Sequence, residues 1–254
     1  ISLGLVGSEM CIRDRGNGAP SLIKSGGGIL TLSPTPSVFG SGFSSNLMTG
    51  MTVINQGTLR LNGGTNTLSA NNFLEVGFGG TLDLNGNSQY VGGFFSDGAV
   101  ANAGGIVTGA GTTSTFVVNQ DNAGRNWAGA LTGALSFQRS GQNTLTFYSD
   151  NTYTGSTLMA GGTTTLRDSA MLSGTSGITI NYANLILDNN IGTNDLTDRI
   201  NNAAAITLRG GTLAFTGRAQ TESSETLGAV TAAQGFSVIT PTTGGTGVNS
   251  AQLT

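Results

Sequence analysis

The chain of 254 residues has no histidine, one cysteine, one tryptophan, four prolines and a single lysine, Lys24. Without histidine it lacks the usual general base at neutral pH and the commonest metal ligand. One cysteine excludes an internal disulfide. Charged residues make up only 9% of the chain. The sequence has no basic stripe of the kind that binds nucleic acid or an anionic membrane surface. No apolar run approaches the roughly 20 residues that span a bilayer.

Small and neutral polar residues take the place of charge. Glycine accounts for 42 residues, about twice its usual share of roughly 7%. Hydrophobic residues make up 37% of the chain, whereas disordered chains are poor in hydrophobic residues and rich in charge. The abundant Thr, Ser and Asn favour strands and tight turns over helices. The composition therefore predicts an ordered, all-β protein.

The first fifteen residues, Ile1–Arg15, differ from everything after them. They contain the only cysteine, Cys11, and the densest charge cluster. Their sequence resembles a translated sequencing adapter, a run that recurs at the ends of fragmentary gene models. A signal peptide is disfavoured because no basic region precedes the apolar part, which Glu9 interrupts; a genuine N-terminal strand is the alternative. We expect residues 1–15 to be an artefact outside the fold and residues 16–254 to form one continuous domain.

The most regular stretch is Leu135–Asp168, in which three short alternating runs are separated by Gly, Asn and Ser. Alternation with period two predicts half-buried strands, and the separating residues are typical of turns. An earlier stretch, Leu22–Leu32, aligns with the same region so that Lys24 matches Arg139. The proline-containing segment Ser33–Gly50 that follows is predicted to be a surface loop.

A second theme, Gly-Thr-Leu-x-Leu after an apolar pair, recurs along the chain. Adjacent copies are separated by 23 residues (Leu59 to Leu82) and by 28 residues (Leu185 to Leu213), with a weaker copy in which Thr164 replaces leucine. A repeat of this size, with strands and no helix, is typical of a β-solenoid. We therefore predict that Leu59 stacks on Leu82 and Leu185 on Leu213, with corner glycines at Gly57, Gly80 and Gly211.

Two Asn-Gly pairs point to an alternative architecture. Asn62–Gly63 and Asn85–Gly86 lie between alternating runs, and Asn-Gly in that position is the strongest short-range signal for a β-hairpin. Because of these pairs, an antiparallel barrel is the alternative fold. The solenoid is favoured because the recurrence repeats a whole multi-strand unit, which a hairpin barrel does not require.

The stretch Leu135–Leu166 resembles a known family. Its Ser-Gly-Gln-Asn-Thr-Leu-Thr-Phe, its Asn-Thr-Tyr-Thr-Gly at Asn151–Gly155 and its Ala-Gly-Gly-Thr-Thr-Thr-Leu are similar to the passenger-associated transport repeat, or autotransporter-associated β-strand repeat. More diffuse likeness covers most of residues 22–254. The first copy, which begins at Leu22, departs from the family's pattern, because an insertion with Pro34 and Pro36 replaces Asn-Thr-Tyr-Thr-Gly.

The resemblance implies a right-handed parallel β-helix, wound from a single chain, in the passenger of a bacterial autotransporter. It implies a secreted or cell-surface location at a Gram-negative outer membrane and a partner in the protein's own C-terminal translocator barrel. Surface glycans or proteins would be bound through parts outside this sequence. The expected function is a stalk that supports adhesion and aids secretion, in a fragment lacking caps. The alternatives are a β-helix polysaccharide-active enzyme and a carbohydrate-binding module.

Three features of the sequence are candidates for a functional site. Gly26–Gly28 lacks the Gly-Lys-Ser/Thr of a phosphate loop and reads as a corner. The best enzyme candidate is a cluster of Asp188, Asp195, Asp198 and Arg199, because β-helix lyases use carboxylates with Ca²⁺ and a basic residue. The favoured interpretation of this cluster is a polar loop between turns. Its spacing does not fit an EF-hand, since Arg199 occupies the position of the bidentate carboxylate ligand. Trp127 could stack on a sugar, but a core position is favoured. We expect a non-enzymatic chain with no catalytic, cofactor-binding or metal-binding residue.

Overall fold

The computed structural model describes residues 9–13, 21–33, 50–120, 122–247 and 249–254, the first range by its backbone alone. These residues form 23 strands and no helix. In chain order the strands are β1 Glu9–Arg13, β2 Ser21–Ser25, β3 Ile29–Leu32, β4 Thr52–Ile54, β5 Gly57–Leu61, β6 Phe73–Val76, β7 Gly80–Asp83, β8 Ser88–Val91, β9 Gly93–Phe95, β10 Ile106–Asn119, β11 Arg125–Trp127, β12 Ala130–Ser140, β13 Thr144–Phe147, β14 Thr157–Ala160, β15 Thr163–Leu166, β16 Gly177–Asn181, β17 Asn184–Asp188, β18 Ala205–Arg209, β19 Thr212–Thr216, β20 Glu222–Glu225, β21 Val230–Gln234, β22 Val238–Thr242 and β23 Ser250–Leu253.

The described strands form four sheets, each of which contains strands from several or at least two turns. One sheet has the order β1-β2-β4-β6-β9, and a second has the order β21-β18-β16-β14-β12-β10-β7-β5-β3 with β8 beside β10. A third has the order β11-β13-β15-β17-β19-β22, and β20 pairs with β23. Apart from β1 and β2, neighbours in a sheet are strands of successive turns and pair in parallel, so the prediction of a parallel β-solenoid is confirmed. Crossovers between parallel strands are right-handed in almost all proteins.

The predicted leucine stacks are confirmed by the strand register. Leu59 on β5 lies opposite Leu82 on β7, and Leu185 on β17 lies opposite Leu213 on β19. All four side chains are fully buried in one continuous core. Side chains of a strand alternate between its two faces, so the in-register pairing keeps these four leucines on the inner face.

The predicted corner glycines are also confirmed, for two different reasons. Gly57 has a φ of +71°, a left-handed backbone that side chains rarely adopt. At Gly80 the limit is space, because a methyl group there would lie 2.2 Å from the carbonyl oxygen of Ile54. Gly211 is similar, with a methyl position 2.5 Å from Ile180 Cγ2.

The Asn-Gly pairs form corners and not hairpins. Asn85 and Gly86 both have positive φ, +51° and +79°, as the favoured hairpin turns require. However, the flanking strands β7 and β8 do not pair with each other, since both run parallel to β10. Among the described strands only β1 and β2 pair antiparallel. The antiparallel barrel is therefore excluded.

The middle of the chain holds longer strands than the sequence indicates. Ile106 and Phe116 belong to one strand, β10, which pairs with β7 at its start and with β8 at its end. The register between β10 and β12 shifts between Gly109 and Ser114. This irregularity lets one strand serve two faces of the solenoid, and it interrupts the alternation that would have predicted a continuous strand.

Part of the segment set aside as an artefact lies against the solenoid. Residues Glu9–Arg13 form β1, the antiparallel neighbour of β2, and the other residues of 1–15 lie outside the described residues, as does most of the predicted loop Ser33–Gly50. The pairing of β1 departs from the parallel pattern of every other strand. A foreign origin for residues 1–15 concerns the source of the sequence and stays a prediction.

Truncation of a stacked leucine tests the energetic role of the core. We expect Leu185→Ala to lower the free energy of unfolding by about 2–5 kcal/mol, because it leaves a cavity between consecutive turns. Ile186→Ala is the matched control on the half-buried outer face of the same strand, with a loss of about 1 kcal/mol or less. Urea unfolding of both variants measures the difference, and equal losses would contradict a core on the Leu185 side.

A second substitution should stabilise the protein. Thr164 lies between Leu145 and Leu185 in the inner stack, and its buried hydroxyl has no hydrogen-bond partner. Since an unsatisfied buried polar group destabilises a fold, we expect Thr164→Val to raise the free energy of unfolding by about 1 kcal/mol. Thr165→Val, on the outer side of the same strand, should bring no such gain; a loss of stability in Thr164→Val would contradict the expectation.

Candidate functional sites

The predicted Asp188–Arg199 cluster is built around a fully buried arginine. Arg199 donates from Nε to Asn189 Oδ1 (2.6 Å) and from Nη1 to the Ala170 carbonyl (2.8 Å). Its Nη2 donates to further carbonyls, including that of Asp188 at 3.1 Å. Burial lowers the pKa of Arg199 to about 10, and the neighbouring carboxyl groups of Glu225 and Asp188 oppose this shift. The guanidinium is therefore charged and enclosed, and it donates hydrogen bonds to backbone carbonyls of two turns.

The three aspartates of the cluster each have a separate local task. Asp188 accepts hydrogen bonds from the backbone N–H groups of Asn190 and Ile191 and so closes its own turn. Asp195 accepts from Asn189 Nδ2 (2.6 Å) and Ser223 Oγ (3.1 Å). Asp198 is exposed and accepts from Thr197 and Asn202 side chains. The carboxylates do not converge on one open position with Arg199, so the cluster lacks the geometry of a catalytic site.

Glu225 completes this network from the next turn. Its two carboxyl oxygens accept from the backbone N–H groups of Arg199 and Ile200, each at 2.9 Å. Burial raises the pKa of Glu225 to about 7, although these two hydrogen bonds lower it. We call Asn189, Arg199 and Glu225 the buried polar corner. It ties three successive turns together, and the sequence did not predict the part played by Glu225.

Trp127 lies inside the solenoid and cannot stack on a sugar. Its ring is fully buried, with its centroid 4.1 Å from that of Phe94. A side chain on Gly129 would collide with the indole ring, at 2.6 Å, so this glycine provides the space that Trp127 fills. The prediction of a core position is confirmed, and the hypothesis of an exposed sugar-stacking Trp127 is wrong.

The glycine-rich segment Gly26–Gly28 is a corner that packs against the ammonium group of Lys24. Lys24 Nζ donates to the carbonyls of Gly26 (2.6 Å) and Ser25 (3.1 Å), and to that of Gln56 one turn later (3.0 Å). A phosphate loop would turn its N–H groups toward an anion, whereas this corner turns carbonyl oxygens toward an ammonium group. The corner prediction is confirmed.

The predicted match between Lys24 and Arg139 has a structural counterpart. Arg139 is also buried, and its guanidinium donates to the carbonyls of Asn143, in its own corner, and of Gly161, one turn later. The two corners nevertheless join different sheets. Lys24 is the penultimate residue of β2 in the five-stranded sheet, whereas Arg139 is the penultimate residue of β12 in the ten-stranded sheet. The sequence match therefore identifies the local structure and not its place around the solenoid.

One cluster of ionisable groups was not predicted from the sequence. Glu75 on β6 and Asp97, two residues after β9, share a hydrogen bond, which raises the pKa of Glu75 to about 7 together with burial and the charge of Asp97. Gly77 makes room for this contact, since a methyl group there would lie 2.5 Å from Asp97 Oδ2. Arg125 lies near the pair and covers Phe95, its guanidinium 4.5 Å from the ring centroid. We call Glu75, Asp97 and Arg125 the surface carboxyl cluster.

The surface carboxyl cluster borders a shallow hollow of about 300 Å³ lined by residues 95–99 and 124–126. The sequence signal was one acidic residue in each of two turns: Glu75 lies within a copy of the Gly-Thr-Leu repeat, whereas Asp97 lies outside it.

The described part of the chain offers few sites of other kinds. It contains no group of three or more Cys, Asp or Glu side chains that could hold a metal ion. Within the same residues, no helix is long and apolar enough to cross a membrane.

The two raised carboxyl pKa values predict an acid-stabilised fold. Between the ordinary value of 4.5 and about 7, folded Glu225 binds more protons than unfolded Glu225, so the free energy of unfolding falls as pH rises through this interval. For Glu225 the full decline is on the order of 3 kcal/mol. Glu225→Gln should flatten the pH dependence of urea unfolding between pH 4.5 and 7, leaving the contribution of Glu75.

Glu222→Gln is the control for this measurement, because Glu222 is exposed on the same strand as Glu225. It should reproduce the pH profile of the unsubstituted protein. A profile that rises with pH, or a Glu225→Gln profile parallel to that of the unsubstituted protein, would contradict the assignment.

Comparison with known proteins gives no relative from which a role could be transferred. No family model matches the chain. No curated protein and no solved structure matches it significantly either. The functional argument therefore depends on the fold and on the side chains described above.

Proposed function

We propose that the chain is a structural segment of a secreted or surface-displayed autotransporter passenger, where it forms a stiff stalk. The observation that carries this proposal is the single core that runs without a break from Leu22 to Phe215. Along the same length, the buried cations hold corners together and do not converge with carboxylates on an open site. Such a design suits a spacer, whose task is to keep its shape over a distance.

The energetics of stacked turns also suit secretion. Each turn buries its leucines against the turn before and after it, so stability is close to a sum of nearest-neighbour terms. Turns that emerge from a membrane could then fold one at a time, each on the one before. Folding outside the membrane would hold back reverse sliding of the chain. The same local coupling gives a stalk that can be lengthened by adding turns.

The autotransporter context comes from the sequence resemblance at Leu135–Leu166. In the structure this stretch contains β13, β14 and β15 and the end of β12, which belong to two sheets, so the best-matching repeat corresponds to complete structural units. An outer-membrane location, a translocator barrel as partner and a contribution to adhesion are parts of the proposal that follow from this resemblance.

A polysaccharide-active enzyme is the less supported alternative. The side chain that would act as its base or anion-binding group, Arg199, is enclosed and occupied by carbonyl oxygens. The surface carboxyl cluster has a more open position, but the comparison with β-helix lyases concerns the Asp188–Arg199 cluster and does not involve it. A non-enzymatic role therefore has the better support.

Surface display tests the stalk proposal. We would place residues 16–254 between a secretory signal peptide and an autotransporter translocator barrel, with an N-terminal epitope, in a Gram-negative host. The epitope should become accessible to antibody on intact cells. Leu185→Ala should lower its display severalfold, because a weakened pair of turns cannot hold back the chain.

Ile186→Ala is the matched variant and should display the epitope like the unsubstituted segment. Total synthesis is measured in lysed cells, so that degradation in the periplasm is not counted as failed display. Failure of the unsubstituted segment to reach the surface would contradict the proposal, as would equal display of both variants.

A further inference from the structure

Tyr182 has an unusual backbone and an unusual exposure. It follows β16 at a corner, with a φ of +46°, in the left-handed region that is an outlier for a bulky residue. Its side chain is 65% exposed. Glycine would relieve the backbone, and a polar residue would suit the solvent better. A strained residue held in place by its surroundings is a reason to look for a function.

The next two turns leave room for the Tyr182 ring. A methyl group on Gly210 would lie 2.8 Å from Tyr182 Cε1, and one on Gly235 would lie 3.7 Å from its hydroxyl oxygen. The ring therefore lies along the outside of the solenoid, across the corners of the following turns, and only glycine at 210 permits this. The backbone N–H of Tyr182 donates to the Arg209 carbonyl (3.0 Å) and fixes the spacing of the corner.

Polar side chains border this ring in register. Asn181 lies opposite Arg209, and Arg209 lies opposite Gln234, so the three form a ladder with one residue in each turn. Arg209 and Gln234 are exposed, and Phe236 beyond the ladder is 86% exposed. No carboxylate forms an ion pair with Arg209 in the described chain, where the two ion pairs involve Arg60 and Arg167. We call Asn181, Tyr182, Arg209, Gln234 and Phe236 the aromatic corner.

We propose that the aromatic corner binds an acidic saccharide. The apolar C–H face of a sugar ring stacks on an exposed aromatic ring, for which Tyr182 and Phe236 provide flat surfaces. Amide side chains donate to and accept from hydroxyl groups, as Asn181 and Gln234 can. The guanidinium of Arg209 matches a uronate carboxylate in a two-pronged hydrogen bond.

The size of the aromatic corner favours a saccharide over a protein partner. Strands of neighbouring turns are about 4.8 Å apart, so the three turns of the ladder span roughly 10 Å. A stable protein interface buries about 1,000 Å² or more, which two rings and three polar side chains do not supply. A short stretch of a polysaccharide fits this length, and a repeating ligand could continue along the axis. The site does not depend on the stalk proposal.

Titration calorimetry with tetragalacturonate, and with maltotetraose as the uncharged counterpart, tests the proposal on the full chain. Tetragalacturonate should bind, and more weakly as salt is added, because its contact with Arg209 is electrostatic. Tyr182→Gly and Arg209→Gln should each weaken binding about tenfold. Binding of neither sugar, or of maltotetraose alone, would overturn the proposal.

The choice of glycine at position 182 separates binding from stability. Because the left-handed backbone favours glycine, the melting temperature of Tyr182→Gly should be unchanged or higher. A large fall would show that Tyr182 supports the fold and would overturn its assignment as a binding residue. Gln220→Gly is the matched control, since Gln220 is exposed and has a φ of +57°; it should bind tetragalacturonate like the unsubstituted protein. Phe236→Ala, at an exposed position, should weaken binding without lowering the melting temperature.

Discussion

The whole structure depends on the parallel, in-register pairing of each strand with the strand one turn later. This pairing places Leu59 on Leu82 and Leu185 on Leu213, and a shift by one residue would turn these leucines toward solvent. Where this register is kept, differences in turn length must be absorbed at the corners. Glycines are needed there because consecutive corners approach within van der Waals contact. The core and the corners are therefore two results of one constraint.

Corners leave carbonyl groups that the sheets do not pair, and this explains where the rare buried charges lie. Lys24, Arg139 and Arg199 are all buried and all donate to corner carbonyls. A cation in such a position satisfies several acceptors at once, whereas one without these partners would be strongly unfavourable inside the protein. In a chain with so few charges, a basic residue near aspartates looks like a catalytic cluster in the sequence. For Arg199, the partners in the fold are instead backbone oxygens and the side-chain oxygen of Asn189.

The sequence predicted what repeats with a fixed period and missed what depends on a single turn. The solenoid, its leucine stacks and the kinship of Lys24 and Arg139 all follow from recurring patterns. The sheet to which each corner belongs does not, because the local motif is the same on different faces. The contact between Glu75 and Asp97 was also missed, since it depends on the length of one irregular turn. The strain at Tyr182 leaves no mark in the sequence, because a backbone angle is set by the neighbouring turns.

These distinctions suggest where such a protein can acquire a function. Inner positions are fixed by the register, and each substitution there is felt by the turns on both sides. Outer corners are coupled only to the next corner, so strain at one of them stays local in a chain of nearest-neighbour contacts. Tyr182 illustrates this freedom, since its exposed ring requires glycine in the following turn while the leucines beneath keep their stack. A stalk can therefore carry a binding corner at almost any height without giving up its regular core.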